Sequence, residues 1–321
     1  MLRPMIVRFV ALLSTLSPLL LHAQAPESLM VVEAYSGKIL IAANSSVKRP
    51  VASLNQLATA IVAVDWASAT GADISQRVIT APPTVALVGG PNPMQLQPGD
   101  TLTLRDALYS ALLGSDNLAA LTIADHIGGQ ILAKRGKTGD PVAAFVGEMN
   151  QLAGLIGMTN TKFVNPHGLE RSRANGYSCA ADVARLSIFA MRRNALNFIV
   201  RQKERQINVT GATGKRGYLI RNPNELLDVE GVLGIKTGAS AAAGPCLATC
   251  MDREPLVRVR PDGSKGATPR RLIVVVLNSP DRFGRTRGLL QQGWSIYDAW
   301  LKDGAPVNEA RREILSVPAP N

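Results

Sequence analysis

The chain has 321 residues, 46% of them hydrophobic and 18% charged, which is enough apolar material for one large domain with a substantial core. Its 35 Lys and Arg against 24 Asp and Glu give a net charge of +11, which favours anionic surroundings. Aromatic residues make up only 4%, and no basic helix is interleaved with stacking residues, so nucleic acid is excluded as a partner. Three cysteines (Cys179, Cys246 and Cys250) and three histidines lack metal-ligand spacing, so neither a disulfide scaffold nor a metal or other cofactor is expected.

Residues 1–25 read as a secretory signal peptide. MLRPMIVR carries Arg3 and Arg8 and no acid, FVALLSTLSPLLL is a short apolar core, and Ala23-Gln24-Ala25 is a small-x-small cleavage site. The apolar run is shorter than the ~20 residues of a spanning helix. Cleavage before Pro26 removes two arginines and no acid, which leaves 296 residues with a net charge of +9. The expected location is the periplasm, or the cell-wall side of the inner membrane. Peripheral contact with an anionic membrane or wall surface follows from the charge.

Residues 29–43 read as two strands around a Tyr35-Ser36-Gly37-Lys38 turn. After Pro50, Leu54, Leu57, Ala58, Ile61, Val64 and Ala67 recur at helical spacing, predicting a helix over 53–67. Residues 70–100 read as short strands and turns. Thr103 and Asp106 form a Thr-x-x-Asp cap before a helix with a Leu104, Leu108, Leu112 stripe that Gly114 interrupts. Residues 118–127 are helical again, and 128–140 read as a loop. Helices follow over 141–156 and about 180–193. RQINVT, GVLGIKT, CLATC and RLIVVVLN then read as strands, 284–301 as a closing helix, and 302–321 as a loose tail. Cys246 and Cys250, four apart on a strand, would lie about 13 Å from each other, too far to bridge, and read as apolar filler.

Three short polar motifs punctuate this pattern. Ser53 opens the first long helix, Ser115-Asp116-Asn117 sits between two helices, and Lys236-Thr237-Gly238 lies on a predicted strand. Such a set supports acyl transfer. A serine hydroxyl attacks a carbonyl, a helix start and backbone amides stabilise the oxyanion, and a lysine and threonine bind a carboxylate. Gly238 lets a substrate backbone lie against the strand. Lys137-Thr138-Gly139 repeats the third motif, but in a Gly-rich loop rather than on an apolar strand.

In order and spacing the three motifs resemble those of the serine D-alanyl-D-alanine carboxypeptidases, the low-molecular-mass penicillin-binding proteins. The resemblance extends over about 29–296 and includes PVASLNQLATA, LLGSDNLAA, GMTNTKFVNPHGLE, GYSCAADVARL, NELLDVEGVLGIKTGASAAAGPCL and RLIVVVLNSPDRFGRTRGLL. It implies an α+β fold of the serine β-lactamase and penicillin-binding type. In that fold an antiparallel sheet built from both chain ends is flanked by helices, beside a mostly helical lobe over about 53–195. The carboxypeptidase-like domain would occupy 26–301. The resemblance makes Ser53 the acylated nucleophile and Ser115 a proton relay. Asn117, Lys236, Thr237 and Gly238 become substrate-binding residues. Peptidoglycan stem peptides are the implied substrates, and β-lactams the implied covalent ligands.

One position departs from the pattern. The family carries Lys at the fourth place of its Ser-x-x-Lys motif, and this chain has Gln56. Ser45-Ser46-Val47-Lys48 fits the motif literally, but Arg49-Pro50 follows and prevents a continuous helix. A carboxamide cannot accept a proton near neutral pH, and losing a general base costs about 10²–10⁴ in rate. Two readings follow: a serine-type carboxypeptidase, or a pseudoenzyme that binds wall peptides without efficient turnover. A β-lactamase is disfavoured, because FVNPHGL stands where a deacylating glutamate loop would be wanted. His167 in that stretch reads as packing, and Ser240 as a second hydroxyl near the third motif.

Overall fold

A computed structural model describes residues 26–170, 176–259, 262–308 and 311–319. The signal peptide expected over 1–25 lies outside the described residues. Among the described residues no helix is long and apolar enough to cross a membrane.

The frame is a five-stranded antiparallel sheet assembled from both ends of the chain. Its strands are β1 (Ser28–Glu33), β2 (Ile39–Ala43), β7 (Val232–Gly238), β8 (Cys246–Val259) and β9 (Lys265–Leu277), in the order β2-β1-β9-β8-β7. The central strands are apolar where both faces are covered, without interruption over 29–32 and 272–277. Alternation divides them between two cores. Leu29, Val31, Leu247, Leu272, Val274 and Val276 pack with Leu289, Leu290, Trp294 and Tyr297 of α7 (Arg282–Lys302). Met30, Val32, Ala248, Cys250, Ile273 and Val275 face the helical lobe. Cys179, Cys246 and Cys250 are buried and free, in agreement with the filler reading.

The helical lobe comprises α1 (Gln56–Thr70), α2 (Leu104–Leu113), α3 (Asn117–Lys134), α4 (Pro141–Leu155), α5 (Ala180–Met191) and α6 (Asn194–Val200). The first helix is the central one: seven of its first eight residues are buried, Val62 being the exception, so its apolar positions are not confined to one stripe. Asp106 N donates to Thr103 Oγ1 at 3.0 Å, the cap expected for α2.

Two expectations are corrected, and one strand is placed in a second sheet. Residues 128–134 are not loop: α3 runs through them to Lys134. A Cβ on Gly128 would overlap the Pro141 carbonyl, so the glycine that reads as a helix breaker instead lets α4 start against α3. RQINVT is a strand, but it does not join the main sheet. It lies in β5 (Glu204–Gly211), which with β6 (Gly214–Arg221), β3 (Val78–Thr80) and β4 (Thr101–Thr103) forms a second sheet, ordered β3-β4-β5-β6. Its inward residues Ile207 and Val209 are buried while their neighbours face out, the signature of a sheet covered on one side. The tail is not loose. Leu315 is buried and its N–H donates to Gly37 O at 2.7 Å, Ile39 N donates to Glu313 O at 2.8 Å, and Lys38 pairs with Glu313.

Candidate active site

The first wall is the turn carrying Ser53. Ala52 has φ +47, which breaks the chain direction after Pro50, and Ala52–Asn55 form a single 3-10 turn before α1 begins at Gln56. Ser53 is thus one turn ahead of the regular helix, not inside it. Its neighbours Ala52, Leu54 and Asn55 are buried while Ser53 itself is half-exposed, and its hydroxyl enters no hydrogen bond among the described residues. The turn is braced from outside by 165–168. Asn165 Oδ1 accepts from Gly168 N at 2.7 Å, Thr59 Oγ1 donates to Pro166 O at 2.5 Å, and Gly168, at φ +84, presses against the Ala52 carbonyl where a Cβ would clash. His167 is buried and its Nδ1 accepts from Leu169 N at 3.1 Å, a packing position.

The second wall is the break between α2 and α3. Ser115 takes a left-handed conformation at φ +54, at a cost of roughly 1–2 kcal/mol for a residue with a side chain. Asp116 holds it there. Its Oδ1 accepts from Leu118 N and Ala119 N at 2.9 and 3.0 Å, capping α3, and its Oδ2 accepts from Ser110 Oγ at 2.8 Å. Burial pushes the Asp116 carboxyl up to about 6, against the pull of those hydrogen bonds. Asn117 is buried at the first turn of α3 and donates from Nδ2 to Gly89 O at 3.0 Å.

The third wall is β7, the last strand of the sheet, whose residues are nearly all buried. Lys236 and Thr237 are buried. Lys236 Nζ donates to Ser115 Oγ and, at 2.9 Å, to Thr237 O. Burial first, and the charge of Arg282 second, lower the Lys236 ammonium to about 7. Gly238 allows β7 to lie directly on the Ser53 turn: a Cβ there would meet Val51 O at 3.1 Å and Ser53 N at 3.3 Å. Arg282, at the start of α7, donates to Gly238 O at 2.9 Å. Ser240 Oγ donates to Glu170 Oε1 at 2.7 Å at the end of the same edge.

Gln56 lies at the junction. It is fully buried, and its Nε2 donates to Ser115 O and to Asn117 Oδ1, both at 3.2 Å. Its Oε1 is buried with no partner. The three motifs therefore meet: Gln56 ties the α1 start to Ser115 and Asn117, Lys236 ties β7 to Ser115, and Gly238 abuts the Ser53 turn. The rejected copies stay apart from this junction. Lys137, Thr138 and Gly139 are exposed in the turn between α3 and α4, and Lys48 is exposed, 5.0 Å over the Tyr177 ring. Arg282 and Glu170 lie outside the three motifs. The only available signal was their place within stretches that resemble the family, since neither carries a local motif of its own.

Chemically the junction offers a free serine hydroxyl and a lysine–serine hydrogen bond. It also offers an amide-bearing side chain and a cationic edge made by Lys236 and Arg282. Among the described residues no cluster of His, Cys, Asp and Glu is arranged to hold a metal.

The D-alanyl-D-alanine carboxypeptidase family, peptidase S11, matches residues 18–259. Among curated relatives, the D-alanyl-D-alanine carboxypeptidase DacF of Bacillus subtilis is 26% identical over 70% of this chain and 54% of its own length. The D-alanyl-D-alanine endopeptidase of Escherichia coli is 26% identical over 73% of this chain and 70% of its own. The chain spans about half the length of DacF, and it likewise covers 51% of Escherichia coli DacA, to which it is 30% identical. In fold it is similar to the crystal structure of the Streptomyces K15 DD-transpeptidase, with a TM-score of 0.69 at 23% identity, over 83% of this chain and 96% of that one. A second fold relative is the D-alanyl-D-alanine carboxypeptidase DacD of Francisella tularensis, at TM-score 0.66 and 25% identity, over 83% of this chain and 69% of that one. With well over half of its residues matched, including all three motif-bearing walls of the cleft, the chain belongs to the D-alanyl-D-alanine carboxypeptidase family.

Proposed function

We propose that this protein binds the D-Ala-D-Ala ends of peptidoglycan stem peptides outside the cytoplasm and reacts with them through Ser53, slowly, because Gln56 occupies the place of the family's lysine base. The observation that carries this reading is the contact of Lys236 Nζ with Ser115 Oγ beside the Ser53 turn. A lysine lowered to about 7 is partly neutral at physiological pH and can hold a proton that Gln56 cannot.

In this scheme Ser53 Oγ forms a bond to the carbonyl carbon of the penultimate D-Ala. Its proton passes through Ser115 toward Lys236. As the C–N bond to the terminal D-Ala breaks, the proton is returned to the leaving amine. Water then hydrolyses the acyl-serine ester and restores the hydroxyl. Asn117, held by Gly89 and Gln56, orients the acyl chain, and Thr237 with the Lys236 and Arg282 cations receives the terminal carboxylate. Arg282 keeps the edge cationic when Lys236 is neutral. A β-lactam would acylate Ser53 by the same attack, its ring C–N bond opening in place of the peptide bond.

A second reading is favoured by one specific contact set. The Gln56 amide joins Ser115 and Asn117 by two hydrogen bonds, so it holds the peptide-binding walls together whether or not turnover occurs. The protein would then recognise wall peptides without hydrolysing them. Intact-mass measurement after incubation with penicillin separates the two. A β-lactam adduct that is lost in Ser53→Ala supports the acylating enzyme. Saturable binding of a D-Ala-D-Ala peptide with no adduct supports the binding protein.

A further inference from the structure

Two strands of the main sheet continue well past it. Pairing with the flanking strands stops at Val232–Met251 on one side and Glu33–Leu272 on the other, whereas β8 and β9 stay paired out to Val259–Lys265. The described residues 253–259 and 262–270 thus form a two-stranded ribbon that pairs with no further strand on either edge. Every described residue from 254 to 269 is exposed or half-exposed, so the ribbon has no core of its own. Its base is fixed to the body. Asp252 N donates to Gly231 O at 3.2 Å, Ala34 N donates to Arg271 O at 2.9 Å, Arg271 forks onto Asp252 across the base at 2.6 and 2.7 Å, and Arg253 reaches Asp298 of α7 at 3.1 Å while stacking 4.4 Å over Trp294.

The outer half has a different character. Val257 and Val259 are 59% and 67% exposed and share one face, with Lys265 directly opposite Val259. Arg258, between the valines in sequence, lies by alternation on the opposite face of the ribbon, so basic groups flank the valines on both sides of the tip; neither Arg258 nor Lys265 forms a salt bridge among the described residues. Exposed β-branched residues on a free ribbon would invite strand addition, but this ribbon resists it. The ladder is bulged between Arg253 and Leu256, around Pro255, and Pro269 stands in β9, so both strands carry a residue that cannot donate. A hydrated polyanion would engage the cations and leave the valines idle. Aliphatic side chains set among basic ones suit the boundary between lipid headgroups and acyl chains.

We propose that the β8–β9 arm docks the protein on an anionic phospholipid surface, with Val257 and Val259 entering the interface and Arg258 and Lys265 meeting headgroup phosphates. The catalytic edge of β7, Lys236–Gly238, pairs with Cys246–Ala248, at the end of β8 remote from the arm. Twelve residues of strand separate Leu247 from Val259, about 40 Å at 3.3 Å per residue. Docking by the tip would therefore hold the cleft away from the bilayer, facing the wall.

The test is sedimentation of the chain beginning at Pro26, which contains both cores in full, with vesicles of equal parts phosphatidylglycerol and phosphatidylcholine. Binding is expected to these vesicles and not to phosphatidylcholine alone. Arg258→Ala/Lys265→Ala should weaken it roughly 25-fold, since each basic side chain near such a surface is worth roughly five-fold. Val257→Ser/Val259→Ser should also weaken it severalfold, with melting temperature unchanged in both variants. Three outcomes would overturn the proposal: no binding to the mixed vesicles, binding indifferent to both pairs of substitutions, or binding abolished by soluble polyphosphate and untouched by the valine changes. Concentration-dependent dimerisation lost in the valine variant would assign the arm to a second copy instead, and would equally overturn it.

Discussion

Replacing Gln56 by lysine isolates what the amide costs. Gln56 is fully buried, and its Nε2 already points at Ser115 O and Asn117 Oδ1. A neutral lysine amine can donate to the same two oxygens, and its lone pair is available to accept from the hydroxyl of Ser53, one turn back on the same side. The substitution also deletes the Gln56 Oε1 acceptor, which is buried without a partner, a defect worth roughly 1–3 kcal/mol. Against this stands a second cation near Lys236 and Arg282. Burial and that repulsion both favour the neutral amine, which is the form a base requires. Restoring a positioned general base should raise the rate of Ser53 acylation by about 10²–10⁴, equivalent to about 3–5 kcal/mol of barrier. The assay is the time course of fluorescent-penicillin labelling, with intact mass to count one adduct and Ser53→Ala as the blank. Gln56→Met, which fills the space without a proton acceptor, should gain nothing. The reasoning is refuted if Gln56→Lys folds with an unchanged melting temperature and acylates within about three-fold of the native rate.

The remaining predictions concern the groups around this junction. If Lys236 accepts the Ser53 proton, acylation of the native protein rises with pH and levels off above about 7, and Lys236→Gln removes that limb; a flat profile would point to another acceptor. Asp116→Ala leaves the amides of Leu118 and Ala119 and the Ser110 hydroxyl without their acceptor and should cost about 1–3 kcal/mol in urea unfolding. Because the folded Asp116 carboxyl is raised from 3.8 to about 6, its protonation stabilises the native state; that contribution is complete below 3.8 and is lost as pH rises through 6. Asp116→Asn should flatten the stability profile in that window, measured by thermal melts across pH. Gly238→Ala forces a Cβ against Val51 O and Ser53 N, so β7 must move off the Ser53 turn. A loss of D-Ala-D-Ala peptide affinity of about ten-fold is expected by titration calorimetry, roughly 1.4 kcal/mol.

Much of this molecule is legible one segment at a time. The buried strands β1 and β9 appear as continuous apolar runs, the Thr103–Asp106 cap marks the start of α2, and Pro50 marks the turn before Ser53. Such signals need only neighbouring residues, because propensity, capping and hydrophobic period are local properties. Where a local signal has two meanings, the linear pattern misleads. Gly128 reads as a break, yet it is a contact point for Pro141, and the polar tail reads as loose until Leu315 finds the hairpin of β1 and β2.

By itself, then, the sequence determined the order of the three motifs, the charge, the main helices and strands, and the presence of an amide at position 56. The tertiary structure alone decided that the segments carrying residues 53, 115 and 236 meet at one junction, that RQINVT lies in a second sheet, and that the Lys236 ammonium gives up its proton more readily than an exposed one. Proximity across 183 residues and a pKa set by burial are properties of how distant surfaces pack, and no local pattern carries either.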